Sequence, residues 1–317
     1  MSTSPRLDEY IRLRDSGYHA MMRGELDRAK RDFEDALGVA PGCLEEDPDA
    51  VEKAEVNLAM IHVQCHEDAL AEKGLREVLL RSVNDDVIRM AAHCLAKILS
   101  HRNDHEKALR FARLALDKSR GMADTLAPAE VALRIHSSLG LIAAVYGNQS
   151  YLEDSLSHYE QALEVLEANP LEEAAHHAFY WSAYQDAIGY TLVLLGRLQE
   201  GRLRLEAAHD RTRAFGITDL VAEVAADLCF CHLQLGRLEQ ARFYGEVALE
   251  IAEDQRLDRL RRNCYYLLGE IGSREGDDEA AEAYFGKLGQ FYPRVPFLGE
   301  FLRQYDISSI INLKEFA

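Results

Sequence analysis

The chain has 317 residues, 48% of them hydrophobic and 28% charged, with a formal net charge of −18. That composition buries a large core and is too apolar for a disordered chain, and its acidity repels a phosphate backbone, so nucleic acid is not an expected partner. No stretch approaches the ~18 uninterrupted apolar residues of a membrane span, and Met1 to Ala20 holds no apolar signal core, which sets the expectation of a cytoplasmic protein without a membrane partner.

In chain order, apolar periodicity and Gly, Asn and Pro stops predict helix pairs at 7–22 and 26–39, 48–65 and 68–81, 85–101 and 105–120, 125–146 and 151–168, 171–195 and 198–214, 218–235 and 238–255, and 257–275 and 278–290. The turns inside the pairs read Gly24-Glu25, His66-Glu67, Asn103-Asp104, Gly147-Asn148, Gly196-Arg197, Gly236-Arg237 and Gly276-Asp277. Gly and Asn tolerate the left-handed conformation that ends a helix. The fourth pair carries extra residues between Gly147 and Ser155, which predicts a longer turn there.

Each first helix has a small residue at a matching place: Gly17, Ala59, Ala96, Gly140, Gly189, Cys229 and Gly269. Each second helix has a stripe at i, i+4 and i+7, from Ala29/Phe33/Ala36 through Gly201/Leu205/Ala208 to Ala281/Phe285/Leu288. That spacing places all three residues on one helix face, and the small site lets the two helices approach closely. After Pro293 the pattern changes. Phe297 to Tyr305 reads as a short capping helix, and the apolar tail with Ile307, Ile310, Ile311, Leu313 and Phe316 is expected to cover the end of the last pair near Tyr284, Leu288 and Phe291.

The recurring small–aromatic–small–proline pattern, best in the first pair (Ala29, Phe33, Ala36, Pro41) and the last (Ala281, Phe285, Pro293), resembles the tetratricopeptide repeat over about residues 7 to 293. Units of about 40 residues resemble the lengthened repeats of kinesin light chain and of bacterial regulatory tetratricopeptide proteins. The resemblance implies an all-α, right-handed α-solenoid of about seven helix-turn-helix repeats (1–293) with a C-terminal capping segment (294–317). It also implies that the first helices line a concave inner wall. Mapped in that register, the wall carries Arg14, Tyr18, Asn57, Met60, His93, Lys97, Arg134, His176, Phe179, Asp186, Tyr190, Phe230, Asn263 and Tyr266.

This row mixes aromatics, amides and both charges, which suits an extended peptide. The fifth pair is expected to be its centre, because His176, Phe179, Asp186 and Tyr190 recur on one face towards the row beside Arg134 and Phe230 of the flanking pairs, while Trp181, the only Trp, Tyr184 and Ile188 fall on another face that should pack. Truncating Tyr190 or Phe230 is expected to weaken binding and leave the fold intact. The carboxylate clamp of chaperone-binding tetratricopeptide domains is not matched: its places hold Arg14, Tyr18, Asn57, Met90 and Cys94, and only Asn57 agrees.

Catalytic chemistry is not expected. No Gly-rich phosphate loop and no G-x-S-x-G is present, and the pairs His62/His66 and His101/His105 fall at turns, so neither a cofactor nor a metal is expected. Six cysteines without a C-x-x-C read as buried free thiols in a reducing compartment. The sequence therefore predicts a non-catalytic adaptor or scaffold that binds a peptide or helix of another protein, with net acidity favouring a basic one. The alternative is a ligand-responsive regulator resembling bacterial peptide sensors, although those carry an output domain ahead of repeats that here begin at about residue 7. An enzyme or enzyme subunit is the outlying reading.

Overall fold

Five turns set the architecture. At each, a residue in the left-handed conformation is followed five positions later by a small side chain that seats the next helix. These turns lie at Asn103, Ser150, Gly196, Gly236 and Gly276, and the small residues at Ala108, Ser155, Gly201, Ala241 and Ala281. The computed structural model describes residues 4–22, 25–65 and 67–308, so Gly24 and His66 of the first two turns lie outside the described residues.

The described residues form two units, Met1–Val145 and Tyr146–Ala317. The first holds α1 (Pro5–Met22), α2 (Leu26–Val39), α3 (Ala50–Gln64), α4 (Asp68–Arg81), α5 (Asp85–His101), α6 (His105–Gly121) and most of α7 (Pro128–Asn148). The second holds the last turn of α7, then α8 (Leu152–Ala168), α9 (Ala174–Leu194), α10 (Leu198–Phe215), α11 (Thr218–Gln234), α12 (Leu238–Asp254), α13 (Asp258–Glu275), α14 (Asp278–Gly289) and α15 (Leu298–Gln304). Among the described residues there is no strand. Within each unit the described residues form the all-α helical hairpins that the sequence predicts.

The fourth turn differs from the expectation. Helix α7 continues through Gly147 to Asn148, and Ser150 takes the left-handed conformation with φ +61°. The extra residues therefore lengthen α7 and leave the turn unchanged. Gly147 stays helical, where an added Cβ would lie 3.2 Å from Ser155 Oγ.

Close approach within hairpins follows the small residues. A Cβ on Gly17 would lie 2.6 Å from Phe33 Cε1, and one on Gly269 would lie 2.5 Å from Phe285 Cε1. The first and last hairpins thus share one lock, an aromatic ring seated on a glycine, with Phe33 and Phe285 both buried. The fifth hairpin brings backbone to backbone. A Cβ on Gly201 would sit 2.7 Å from the Gly189 carbonyl, and one on Gly189 would meet Leu205 Cγ at 2.7 Å. Fully burying such a Leu or Phe stabilises by roughly 1.5–3 kcal/mol.

At the end of the second unit, α15 covers the last hairpin. Leu302 is buried, Leu298 packs beside it, and both join the cluster that contains Leu288, Tyr284 and Phe291. Ile307 packs against the same cluster. Ile310, Ile311, Leu313 and Phe316 lie outside the described residues.

Candidate functional site

Within each unit, hydrogen bonds and ring contacts join some neighbouring first helices, and they involve several residues of the sequence-mapped row. In the first unit the Tyr18 hydroxyl on α1 donates to Asn57 Oδ1 on α3 at 2.6 Å. Asn57 is buried, and the Tyr18 ring stands edge-on to Phe33 with centroids 5.4 Å apart. Met60 is half-buried against the core. Arg14 forks onto Asp15 Oδ1 on its own helix at 3.0 and 2.9 Å.

On α5, Asp86 is held by two arginines. Arg89 Nε donates to Oδ1 at 2.8 Å, and Arg134 on α7 donates through Nε and Nη2 at 3.0 Å each. Burial opposes the charge on Asp86, but the Arg134 hydrogen bond and the Arg89 charge outweigh it and hold the carboxyl at about 2. Arg89, His93 and Lys97 recur every four residues along one face of α5. Lys97 is exposed, and His93 Nδ1 is enclosed without a hydrogen-bond partner. Burial first, then the charges of Lys97 and Arg89, push the His93 imidazole well below its usual range and keep it neutral.

In the second unit the row is more aromatic and more deeply set. Tyr190 on α9 and Phe230 on α11 lie with ring centroids 5.9 Å apart, at 3% and 2% exposure. They are part of the core, so truncating them removes packing as well as any ligand contact. Phe179 is the exposed aromatic of α9, edge-on to Tyr180, and His176 is half-exposed with Nδ1 at 2.9 Å from Glu173. Asp186 is buried, while Asn263 is half-buried on α13. Trp181, on a different face of α9, packs as expected: its Nε1 donates to Glu167 at 2.9 Å and the Arg211 guanidinium lies 4.5 Å over its ring.

Arg259 of α13 pairs with Glu223 of α11, and Arg274 Nε donates to buried Glu270 at 2.9 Å. Burial, the larger effect, pushes the Glu270 carboxyl up against the pull of Arg274. Tyr266 is buried with its hydroxyl unpartnered, and burial pushes that group up.

Sequence reasoning singled out neither Asp86, Arg89, Gln234 nor Arg274, and it read Arg259 only as one of the arginines clustered with Arg256, Arg261 and Arg262. The pairs Asp86/Arg89 and Glu270/Arg274, at i, i+3 and i, i+4, carried a readable signal; the contacts of Gln234 and Arg259 join residues 74 and 36 apart. The outward faces of second helices carry local ion pairs instead, such as Glu72–Arg76, Glu106–Arg110 and Arg202–Glu206. The six cysteines are free thiols. Among the described residues, no helix is long and apolar enough to cross a membrane.

A family model described as tetratricopeptide repeat matches residues 263–288, the span of the last hairpin. No curated protein matches the chain. Among solved structures, a Rap protein complexed with Competence and Sporulation Factor is similar over 96% of this chain and 79% of its own, at 15% identity and a TM-score of 0.67. Aspartyl phosphate phosphatase F from Bacillus subtilis is similar over 97% and 81%, at 15% identity and a TM-score of 0.58. PilW, a type IV pilus biogenesis factor, is similar over 80% and 98%, at 17% identity and a TM-score of 0.56. Likeness at such identity shows the fold. The tetratricopeptide-repeat model thus covers the last hairpin, and the described helices share the helical-hairpin fold of these solved structures.

Proposed function

We propose that the chain is a non-catalytic interaction scaffold whose first helices bind a peptide or helix of another protein. The observation that carries this reading is the division of labour between helix faces. Polar and aromatic groups accumulate on the first helices, where Tyr18–Asn57, Asp86–Arg134 and Tyr190–Phe230 join successive repeats. Between them stand groups open to a ligand: Lys97 and Phe179 exposed, His176 and Met60 half-buried. Packing helices together needs no such chemistry, because apolar and small residues suffice, as within hairpins at Gly17–Phe33 and Gly269–Phe285. Within each unit the buried members back the groups that the exposed ones present to a partner.

The net charge of −18 favours a basic partner overall, and unpaired thiols suit a reducing compartment such as the cytoplasm. A second reading, a ligand-responsive regulator, draws on one observation: a similar structure is that of a Rap protein complexed with Competence and Sporulation Factor.

Affinity purification of the tagged chain from its source cells, followed by partner identification, tests the proposal when run beside Lys97→Glu and Phe179→Ala. A partner lost from both variants, with their melting temperatures unchanged, is the expected result. A partner retained by both and lost on replacing exposed Leu203 or Phe243 of second helices overturns it.

A further inference from the structure

The last described residues turn back onto the C-terminal ends of α11 and α13. Ser308 is 2% exposed, and its backbone carbonyl accepts from the side-chain amide of Gln234 at 3.2 Å. Its hydroxyl accepts from Arg274 Nη2 at 2.7 Å, and the same nitrogen donates to Asp306 Oδ2 at 2.7 Å. The Ser308 amide donates to Asp306 Oδ1 at 2.8 Å, which fixes the spacing of the two side chains. Between them Ile307 packs on the apolar cluster of the second unit.

Arg274 divides its donors. Nε is committed to Glu270 at 2.9 Å and Nη1 to the Leu233 carbonyl at 3.0 Å, so the wall itself orients the guanidinium. Nη2 is left for the incoming segment. The Tyr266 hydroxyl, buried and without a hydrogen-bond partner, feels the charge of Asp306.

These contacts belong to neither helix nor hairpin. A side-chain amide reads a main-chain carbonyl, an oriented arginine reads a carboxylate and a hydroxyl, and an apolar site takes the residue between them. Together they are the elements of recognition of an extended segment.

We propose that the ends of α11 and α13 form a slot for a short extended segment of the pattern acidic, apolar, serine, and that the chain's own Asp306-Ile307-Ser308 occupies it as a tethered competitor of a partner segment with that pattern. This rests on the interaction reading above and names the chemistry of one partner contact. Arg274 supplies local positive charge within an acidic surface. Tethering gives the tail a high effective concentration, so it holds the slot against a free peptide of equal intrinsic affinity.

The test uses the full chain and a full-length Asp306→Asn/Ser308→Ala variant, each titrated with a fluorescein-labelled peptide of residues 304–309. The peptide is expected to bind the released variant at least about tenfold tighter than the parent. Adding Arg274→Gln to the variant abolishes that binding, as does replacing the peptide's Asp with Asn. Ser308→Ala alone, which keeps the Asp306–Arg274 pair, gives a smaller gain in the same direction.

Equal binding to parent and variant overturns the proposal, as does no binding to the variant. Unfolding of both the double and the single variant also overturns it, because the segment is then a structural cap. If these results fail while Lys97→Glu and Phe179→Ala still lose the partner, the slot alone is wrong. If partner capture is also indifferent to those two, the interaction reading falls with it.

Discussion

The two units use one hairpin geometry and fill their first helices differently. In the first unit the links between first helices are polar: Tyr18 to Asn57, and Asp86 forked by Arg134. Beside them the basic face of α5 stays open at Lys97. In the second unit the corresponding level is closed by Tyr190 against Phe230 and by buried Tyr266, and the charged pairs Glu223–Arg259 and Glu270–Arg274 lie alongside. The turns differ too. Left-handed glycines at 196, 236 and 276 end the first helices of the second unit, whereas Asn103 does so in the first. Small residues and turns set the repeat, and the chemistry of the row varies freely once they are in place. The span matched as a tetratricopeptide repeat lies where the glycine turn, small residue and Phe coincide, at Gly276, Ala281 and Phe285.

The sharpest way to break this comparison is to remove the lock that both units share. Phe33→Ala and Phe285→Ala should each destabilise their own unit by about 3–5 kcal/mol, since each ring is fully buried on a glycine. Urea titration of the two variants checks this, and a large loss in only one unit would show that the locks are not equivalent. Gly189→Leu should cost about 1–3 kcal/mol, because its first added carbon already meets Leu205 at 2.7 Å and the Gly201 carbonyl at 3.0 Å. A parent-like thermal midpoint would contradict the close approach.

A smaller loss should follow Asp86→Asn in the first unit. Its carboxyl is lowered from 3.8 to about 2 in the folded chain. Its stabilisation is therefore present above about pH 4 and lost as pH falls towards 2, and it amounts to about 1–2 kcal/mol at neutral pH after solvent screening. Chemical denaturation at pH 7 against pH 3 measures it, and the difference between parent and variant should shrink at the lower pH.

The last of this group concerns histidines. Burial, as the largest cause, lowers His177, His209 and His232 in the second unit and His93 in the first. Groups lowered on folding bind protons more readily when unfolded, so their stabilisation is full above about pH 6.5 and declines as pH drops below it. His232 stacks on Tyr244 with centroids 5.5 Å apart, and His209 meets the same ring edge-on at 5.4 Å. Hydrogen exchange at about pH 5 against pH 7.5 should show more local opening in the second unit than in the first. His232→Gln should flatten that dependence, and an unchanged dependence would remove His232 from the account.

Most of the fold was legible because hairpins are local. Five residues from turn to small side chain, and a stripe at i, i+4, i+7, lie within one reading window. The fourth turn was misplaced because Ser150 takes the left-handed conformation without the residue type that advertises it, while nearby Gly147 advertises a turn and remains helical. Of the candidate row, two neighbour contacts were legible, since the inner register set Tyr18 with Asn57 and Tyr190 with Phe230. The links missed join residues far apart in the chain: Asp86 and Arg134 are 48 apart, Glu223 and Arg259 are 36 apart, and Gln234 and Ser308 are 74 apart. Such pairs depend on how one repeat is set against the next, which periodicity within a helix does not encode. The register also says which positions face the row and not how deeply they sit, so buried Tyr190 and Phe230 were grouped with exposed Lys97 and Phe179.

The central claim is that partners meet the first helices. Site-specific photo-crosslinking in the source cells tests it most directly, with the photoreactive residue placed in turn at Lys97 and Phe179 on first helices and at Leu203 and Phe243 on second helices. All four positions are exposed, so each can carry the probe without disturbing the core. The account predicts adducts to a common partner from Lys97, Phe179 or both, and none to it from Leu203 or Phe243. Adducts confined to Leu203 and Phe243 would contradict it.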